Sequence, residues 1–214
     1  MKYTIALIDD HPICRKGLLL TIQDESDLEV IGAYDSAEAA LDELDTLTPD
    51  LFVVDLSLPG MSGLDFIKHV RAIRPEQAIL VVSRHDEALY AERVLRAGGR
   101  GYVMKLEADD VIVDAVRRIR RGGVYTSEAI TNRMLMSMTG GRPGLSSPID
   151  ALSDRELEVF TLLGEGRTSH QIGEVLHVSS KTVDSYRARI KDKLNLDNSA
   201  QLMRRAVQWA EQGS

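Results

Sequence analysis

Hydrophobic and polar positions fall into two regimes along this chain. Up to residue 121, short apolar runs alternate with longer amphipathic stretches. The runs at 3–8, 30–34, 51–55, 78–83 and 101–105 read as strands, and the stretches at 12–22, 36–41, 62–73, 86–97 and 108–121 as helices. The run Leu51-Phe52-Val53-Val54 is too short for a helix and rich in branched and aromatic types, so it predicts a strand buried on both faces. Asp55 ends it, and Pro59-Gly60 turns the chain shortly afterwards. Strands alternating with helices predict a parallel sheet covered on both sides and wound by right-handed crossovers.

From Leu152 the period becomes purely helical. Ser153 with Glu156 and Thr168 with Gln171 have the spacing of capping boxes, each opening a helix. His177-Val178-Ser179 predicts a turn, a longer helix then runs through Leu194, and Asn198 starts a last one. Two helices joined by a tight turn and flanked by two others are a helix-turn-helix arrangement. The chain thus divides into an α/β domain at 1–121, a linker at 122–149 and a small all-α domain at 150–214. Gly122-Gly123, Gly140-Gly141-Arg142-Pro143-Gly144 and Ser146-Ser147-Pro148 mark the linker, and Ile130, Met134, Leu135 and Met138 place one amphipathic helix inside it.

Charge sharpens this division. The net charge is −7 over 214 residues. Residues 1–121 hold 15 Lys and Arg against 22 Asp and Glu, whereas residues 150–214 hold 9 against 10. The acidity therefore lives in the first domain, and the second is neutral enough to meet DNA through a local basic face. No run is long enough to span a membrane, and no charged-then-apolar leader opens the chain, so a cytoplasmic location is expected. The one cysteine, Cys14, reads as a small hydrophobe in a helix.

In an open parallel sheet, residues just past the strands converge on one edge. Asp9, Asp10, Asp55, Ser83 and Lys105 all fall there. Three carboxylates crowded together raise one another's pKa unless a cation compensates, and an all-oxygen donor set with open positions points to magnesium. Such a site suits Asp55 as a nucleophile toward a phosphoryl group, with Lys105 neutralising the phosphoryl charge and the Ser83 hydroxyl donating to it.

These residues, together with Leu58-Pro59-Gly60-Met61-Ser62-Gly63 and Gly101-Tyr102, resemble the flavodoxin-like receiver domain of two-component response regulators. Residues 152–210 resemble the LuxR/NarL-type helix-turn-helix, most clearly in Leu152-Ser153-Asp154-Arg155-Glu156, Lys181-Thr182-Val183, Tyr186-Arg187 and Lys193-Leu194. The resemblance implies that Asp55 is phosphorylated from a sensor histidine kinase. It implies further that Asp10, Asp55 and the Ser57 backbone carbonyl hold Mg2+ while Asp9 acts through water, and that Ser83 and Tyr102 move on phosphorylation. It also implies a phosphorylation-dependent transcription regulator that dimerises on double-stranded promoter DNA. Two departures stand out: Arg84 follows the switch serine where a small or apolar residue is usual, and Leu106 follows Lys105 where many receivers have proline.

Helical geometry assigns the faces of the longer helix. Val183, Ile190 and Leu194 turn inward. Asp184, Ser185 and Ala188 are expected nearest the bases, with Lys181, Thr182, Arg189 and Lys193 nearer phosphates. In the last helix, Leu202, Met203, Ala206, Val207 and Ala210 form an apolar stripe, part of which caps its own domain and the rest of which is a candidate dimer surface. Two rival readings are a phosphohydrolase and a phosphorylation-independent or protein-binding adaptor. Ser57 weakens the first, because it stands where aspartyl-phosphate phosphatases carry a second acid.

Overall fold

The computed structural model describes residues 2–138 and 148–212. Those up to 138 form one compact unit and those from 148 a second. In the first unit the strands are β1 (Tyr3–Ile8), β2 (Leu28–Tyr34), β3 (Leu51–Val54), β4 (Ala78–Ser83) and β5 (Gly101–Met104). They pair in the order β2-β1-β3-β4-β5, every pair parallel. The helices between them are α1 (Pro12–Gln23), α2 (Ala37–Asp42), α3 (Gly63–Ile73), α4 (Glu87–Ala97) and α5 (Ala108–Arg120).

The apolar runs are short because both faces of each central strand are covered. Alternate residues Ile5, Leu7, Leu51, Val53, Leu80 and Val82 meet Leu18 and Ile22 of α1 and Ile112, Ala115, Val116 and Ile119 of α5. Phe52, on the opposite face, meets the edge of Phe66 from α3 at 5.3 Å between ring centres. Helix starts follow their caps: the Ser36 and Ser62 hydroxyls accept from the amides of Ala39 and Asp65, and Gly98 closes α4 in the left-handed conformation. Cys14 is half-buried and free.

Register sets the functional edge. Ile8 pairs with Val54 and Val54 with Val81, while Ser83 pairs with Met104. Asp9, Asp55, Ser83 and Lys105 therefore end their strands side by side. The winding reverses between β1 and β3, which makes this the switch point where such sheets bind their ligands.

Residues 122–138 do not stand apart as a linker. The Tyr125 amide donates to Arg100 and the Tyr125 carbonyl accepts from Tyr102, so this stretch adds a bridge beside β5. Helix α6 (Glu128–Met138) follows; the Ser127 amide donates to Glu87, the Arg133 guanidinium donates to the Ala88 carbonyl, and Ile130 is buried. Backbone pairing at Tyr125 secures α6 to the first unit, a tie that hydrophobic spacing cannot reveal. Leu135 and Met136 remain exposed, and residues 139–147 of the expected linker lie outside the described residues.

The second unit opens with a single 3-10 turn at Pro148–Ala151. It continues as α7 (Asp154–Gly164), α8 (Ser169–Val175), α9 (Ser180–Leu194) and α10 (Ser199–Gln212). Both capping boxes form: the Ser153 and Thr168 amides donate to the side chains of Glu156 and Gln171. Leu157, Phe160, Leu163, Ile172, Val183, Ile190, Leu202 and Ala206 make its core, and Trp209 of α10 lies 5.5 Å from Phe160. The tight turn from α8 to α9 places His177 at φ 54°, and the Val178 amide donates back to Gly173.

Candidate carboxylate site and nucleic-acid interface

Asp55 and Asp9 are each only 2% exposed, an unusual depth for two carboxylates. Lys105 resolves the conflict: its Nζ lies 2.7 Å from Asp55 Oδ2 and 2.7 Å from Asp9 Oδ2. Burial alone would lower the lysine pKa, yet the Asp55 and Asp9 carboxylates hold it above its ordinary value. Asp10 and His11 complete the group, with His11 Nδ1 2.7 Å from Asp10 Oδ1. One ligand atom from each of Asp9, Asp10, His11 and Asp55 lies within 4.8 Å of all the others. Such a carboxylate set fits a hard divalent cation.

Loop geometry aims Asp55. Its amide donates to Ile8, and the Gly63 amide reaches back to the Leu56 carbonyl at 3.0 Å. A Cβ on Gly63 would lie 2.1 Å from the Asp55 carbonyl oxygen, so α3 begins flush against the loop that carries the carboxylate. The Ser57 amide lies 3.4 Å from Asp55 Oδ1, and Ser57 Oγ is 2.8 Å from His85 Nε2.

His85 is the participant that sequence reasoning missed. Besides Ser57, its ring stacks on Tyr90 of α4 at 4.6 Å, its amide donates to the Ser83 hydroxyl, and its carbonyl accepts from the Tyr102 hydroxyl at 2.7 Å. No local pattern signals the ties to Ser57 and Tyr102, which lie 28 and 17 residues away in sequence. Tyr102 lies inward, 1% exposed, and burial pushes its phenol well above its ordinary pKa. Arg84 is exposed and Leu106 is 92% exposed, so neither departure fills the pocket core.

Lys105→Met would leave two buried carboxylates side by side. The expected cost at pH 7 is about 3 kcal/mol. Urea titrations of variant and wild type at pH 7, with and without magnesium chloride, check this.

In the second unit, Lys181, Asp184, Ser185, Ala188, Arg189, Asp192 and Lys193 are exposed along α9, with Thr182 half-buried. Two of them have partners that change their expected role. Asp184 Oδ1 accepts from the Ser169 hydroxyl at 2.8 Å, and the Arg187 guanidinium also donates to that hydroxyl, which ties α9 to the start of α8. Lys193 Nζ lies 2.6 Å from Glu156 Oε2, so its charge serves the α7 capping box instead of pointing freely at a phosphate. In α10, Leu202 and Ala206 are 0% exposed and belong to the core, because α10 lays that edge of its stripe on α7. Only Met203, Val207 and Ala210 of the expected dimer stripe are half-exposed.

Glu156 gives this contact a pH signature. Burial raises its pKa, but Lys193 and the Ser153 amide outweigh that and hold it below its ordinary 4.5. A depressed folded value stabilises fully above the unfolded pKa and stops doing so as pH falls through the folded one. Glu156→Gln is therefore expected to cost about 1 kcal/mol at pH 7 and progressively less between about pH 5 and pH 3. Thermal midpoints of variant and wild type across that range are the measurement.

Comparison with known proteins agrees with this architecture. Residues 5–117 match the response regulator receiver domain, and residues 150–206 match the bacterial regulatory proteins of the luxR family. The chain belongs to the response regulators. This response regulator is 31% identical to the transcriptional activator protein ExaE of Pseudomonas putida, over 95% of each chain. It is 32% identical to the oxygen regulatory protein NreC of Staphylococcus carnosus, over 97% of each. Among solved structures, RcsB from Salmonella enterica serovar Typhimurium, bound to promoter P1flhDC in the presence of phosphomimetic BeF3−, shares 26% identity with a TM-score of 0.59. That match covers 95% of this chain and 97% of RcsB. This response regulator is thus of the two-component, DNA-binding transcriptional type with a NarL/LuxR-type output domain. No helix among its described residues is long and apolar enough to cross a membrane.

Proposed function

We propose that this response regulator accepts a phosphoryl group on Asp55 from the phosphohistidine of a sensor histidine kinase in the cytoplasm, and then pairs on promoter DNA. The observation that carries the reading is the buried Asp55 carboxylate at a strand end, with the Lys105 ammonium 2.7 Å away and two further acids beside it. An Asp55 carboxylate oxygen attacks phosphorus, the oxygen–phosphorus bond forms as the phosphorus–nitrogen bond breaks, and the imidazole leaves with the electron pair. Lys105 is placed to take up the negative charge arriving on the phosphoryl oxygens. Asp10, Asp55 and the Ser57 carbonyl would hold Mg2+, with Asp9 acting through water. The cation, when bound, supplies further neutralisation of the phosphoryl oxygens. Asp55 catalyses only its own phosphorylation and slow dephosphorylation, since Ser57 offers no acid for rapid turnover.

Ser83 and Tyr102 read the phosphoryl group, with His85 linking them to the Asp55 loop and to α4. On DNA, Lys181, Thr182, Ser185, Ala188 and Arg189 face the major groove, while Asp184 and Lys193 shape the helix that presents them. Met203, Val207 and Ala210 form the pairing surface of α10. Incubation with acetyl phosphate and magnesium, followed by intact and native mass and by gel shift on promoter fragments, tests this. A single phosphoryl adduct, a shift toward dimer and tighter DNA binding are expected; an adduct without any DNA shift at low salt would favour the adaptor reading.

A further inference from the structure

At the opposite edge of the sheet from Asp55, a cleft of about 530 Å³ opens between the ends of α3, α4 and α5 and the helix α6. Arg100 marks the edge, because it immediately precedes β5 whereas Lys105 immediately follows it. The volume is that of a small-molecule site. Three guanidinium groups, from Arg71, Arg100 and Arg118, line it together with the apolar side chains of Leu95, Val124 and Leu135.

These arginines differ from the others around them. Arg117 and Arg120 pair with Glu25 and Asp27, and Arg74 donates to the Leu44 and Leu47 carbonyls. Arg71, Arg100 and Arg118 form no ion pair among the described residues, although the unit they belong to is strongly acidic. Arg71 goes further: its Nη1 is shielded from solvent and has no hydrogen-bond partner. Its side chain lies over Gly98, where a Cβ would come 2.7 Å from Nε. A guanidinium held at a cleft wall with an unmet donor is costly, and an oxyanion in the cleft offers acceptors to the three guanidinium groups in the planar geometry that arginine favours.

We propose that this cleft is a binding site for an organic oxyanion, its charged head held by Arg71, Arg100 and Arg118 and its apolar body laid against Leu95, Val124 and Leu135. The occupant bridges α6 to the rest of the first unit. This inference is independent of the role assigned to Asp55.

Calorimetric titration of the full chain, without magnesium, tests it with four probes: 1-naphthyl phosphate, 1-naphthoate, inorganic phosphate and 1-naphthol. Saturable one-site binding is expected for at least one naphthyl anion, with head alone and body alone each weaker by about tenfold or more. A preference for the ester identifies phosphates as the ligand class, and equal or tighter naphthoate binding identifies carboxylates. Arg71→Gln and Arg118→Gln are each expected to weaken binding about tenfold, while Arg120→Gln leaves it unchanged. Arg118 is exposed, so its substitution leaves the fold intact even where Arg71→Gln disturbs α4. Absence of saturable heat for both anions, or heats unaffected in Arg118→Gln and in folded Arg71→Gln, overturns the proposal.

Discussion

Asp55→Asn is expected to abolish the phosphoryl adduct while leaving the fold intact. Asparagine keeps the shape of the carboxylate and a hydrogen-bond acceptor for the Ser57 amide, but its amide oxygen is not a nucleophile toward phosphorus. Adduct formation with acetyl phosphate should fall by at least about a thousandfold. Stability should change little, because the substitution removes one of two acids 2.7 Å from Lys105 and leaves Asp9 to pair with it. Mass spectrometry and a urea titration on one preparation separate the two effects. An adduct that persists on the variant would move the phosphoacceptor elsewhere.

Gly63→Ala should be the most damaging conservative substitution near the site. The new methyl would sit 2.1 Å from the Asp55 carbonyl oxygen and 2.9 Å from the Leu56 Cα. Both are backbone atoms of one tight loop, so no side chain can rotate away to relieve the overlap. Either α3 withdraws or the loop does. The Gly63 amide's bond to Leu56 is lost in both cases. The expected cost is about 3 kcal/mol or more. Because the same loop aims Asp55, the adduct rate in the remaining folded protein should drop by about a hundredfold. Chemical denaturation followed by circular dichroism gives the first figure and a time course of intact mass the second; normal stability with a normal rate would show that the loop yields without consequence.

What was legible in the sequence follows from what local pattern encodes. The five strands are readable because double-sided burial forces short apolar runs, and Asp9, Asp55 and Lys105 because they directly follow such runs. Capping serines and threonines mark helix starts within a residue. Long-range side-chain pairs leave no such trace. Nothing near His85 points to Ser57, nothing near Lys193 points to Glu156, and nothing near Asp184 points to Ser169. That last contact gives Asp184 a role inside its own domain: its carboxylate helps orient α8 against α9. The docking of α6 draws on both kinds of signal: Ile130, marked by the amphipathic spacing, is buried, while the bridge made by the Tyr125 backbone leaves no trace in that spacing.

Tyr102 carries a consequence for how this edge of the sheet can move. Its hydroxyl is tied to the His85 carbonyl, and the His85 ring is tied in turn to Ser57 on the loop that carries Asp55. Hydrogen bonds hold only over a few tenths of an ångström, so none of the three can be displaced far without dragging or releasing the next. In mechanical terms the strand ends are coupled like a gear train, and play at one end is taken up at the other.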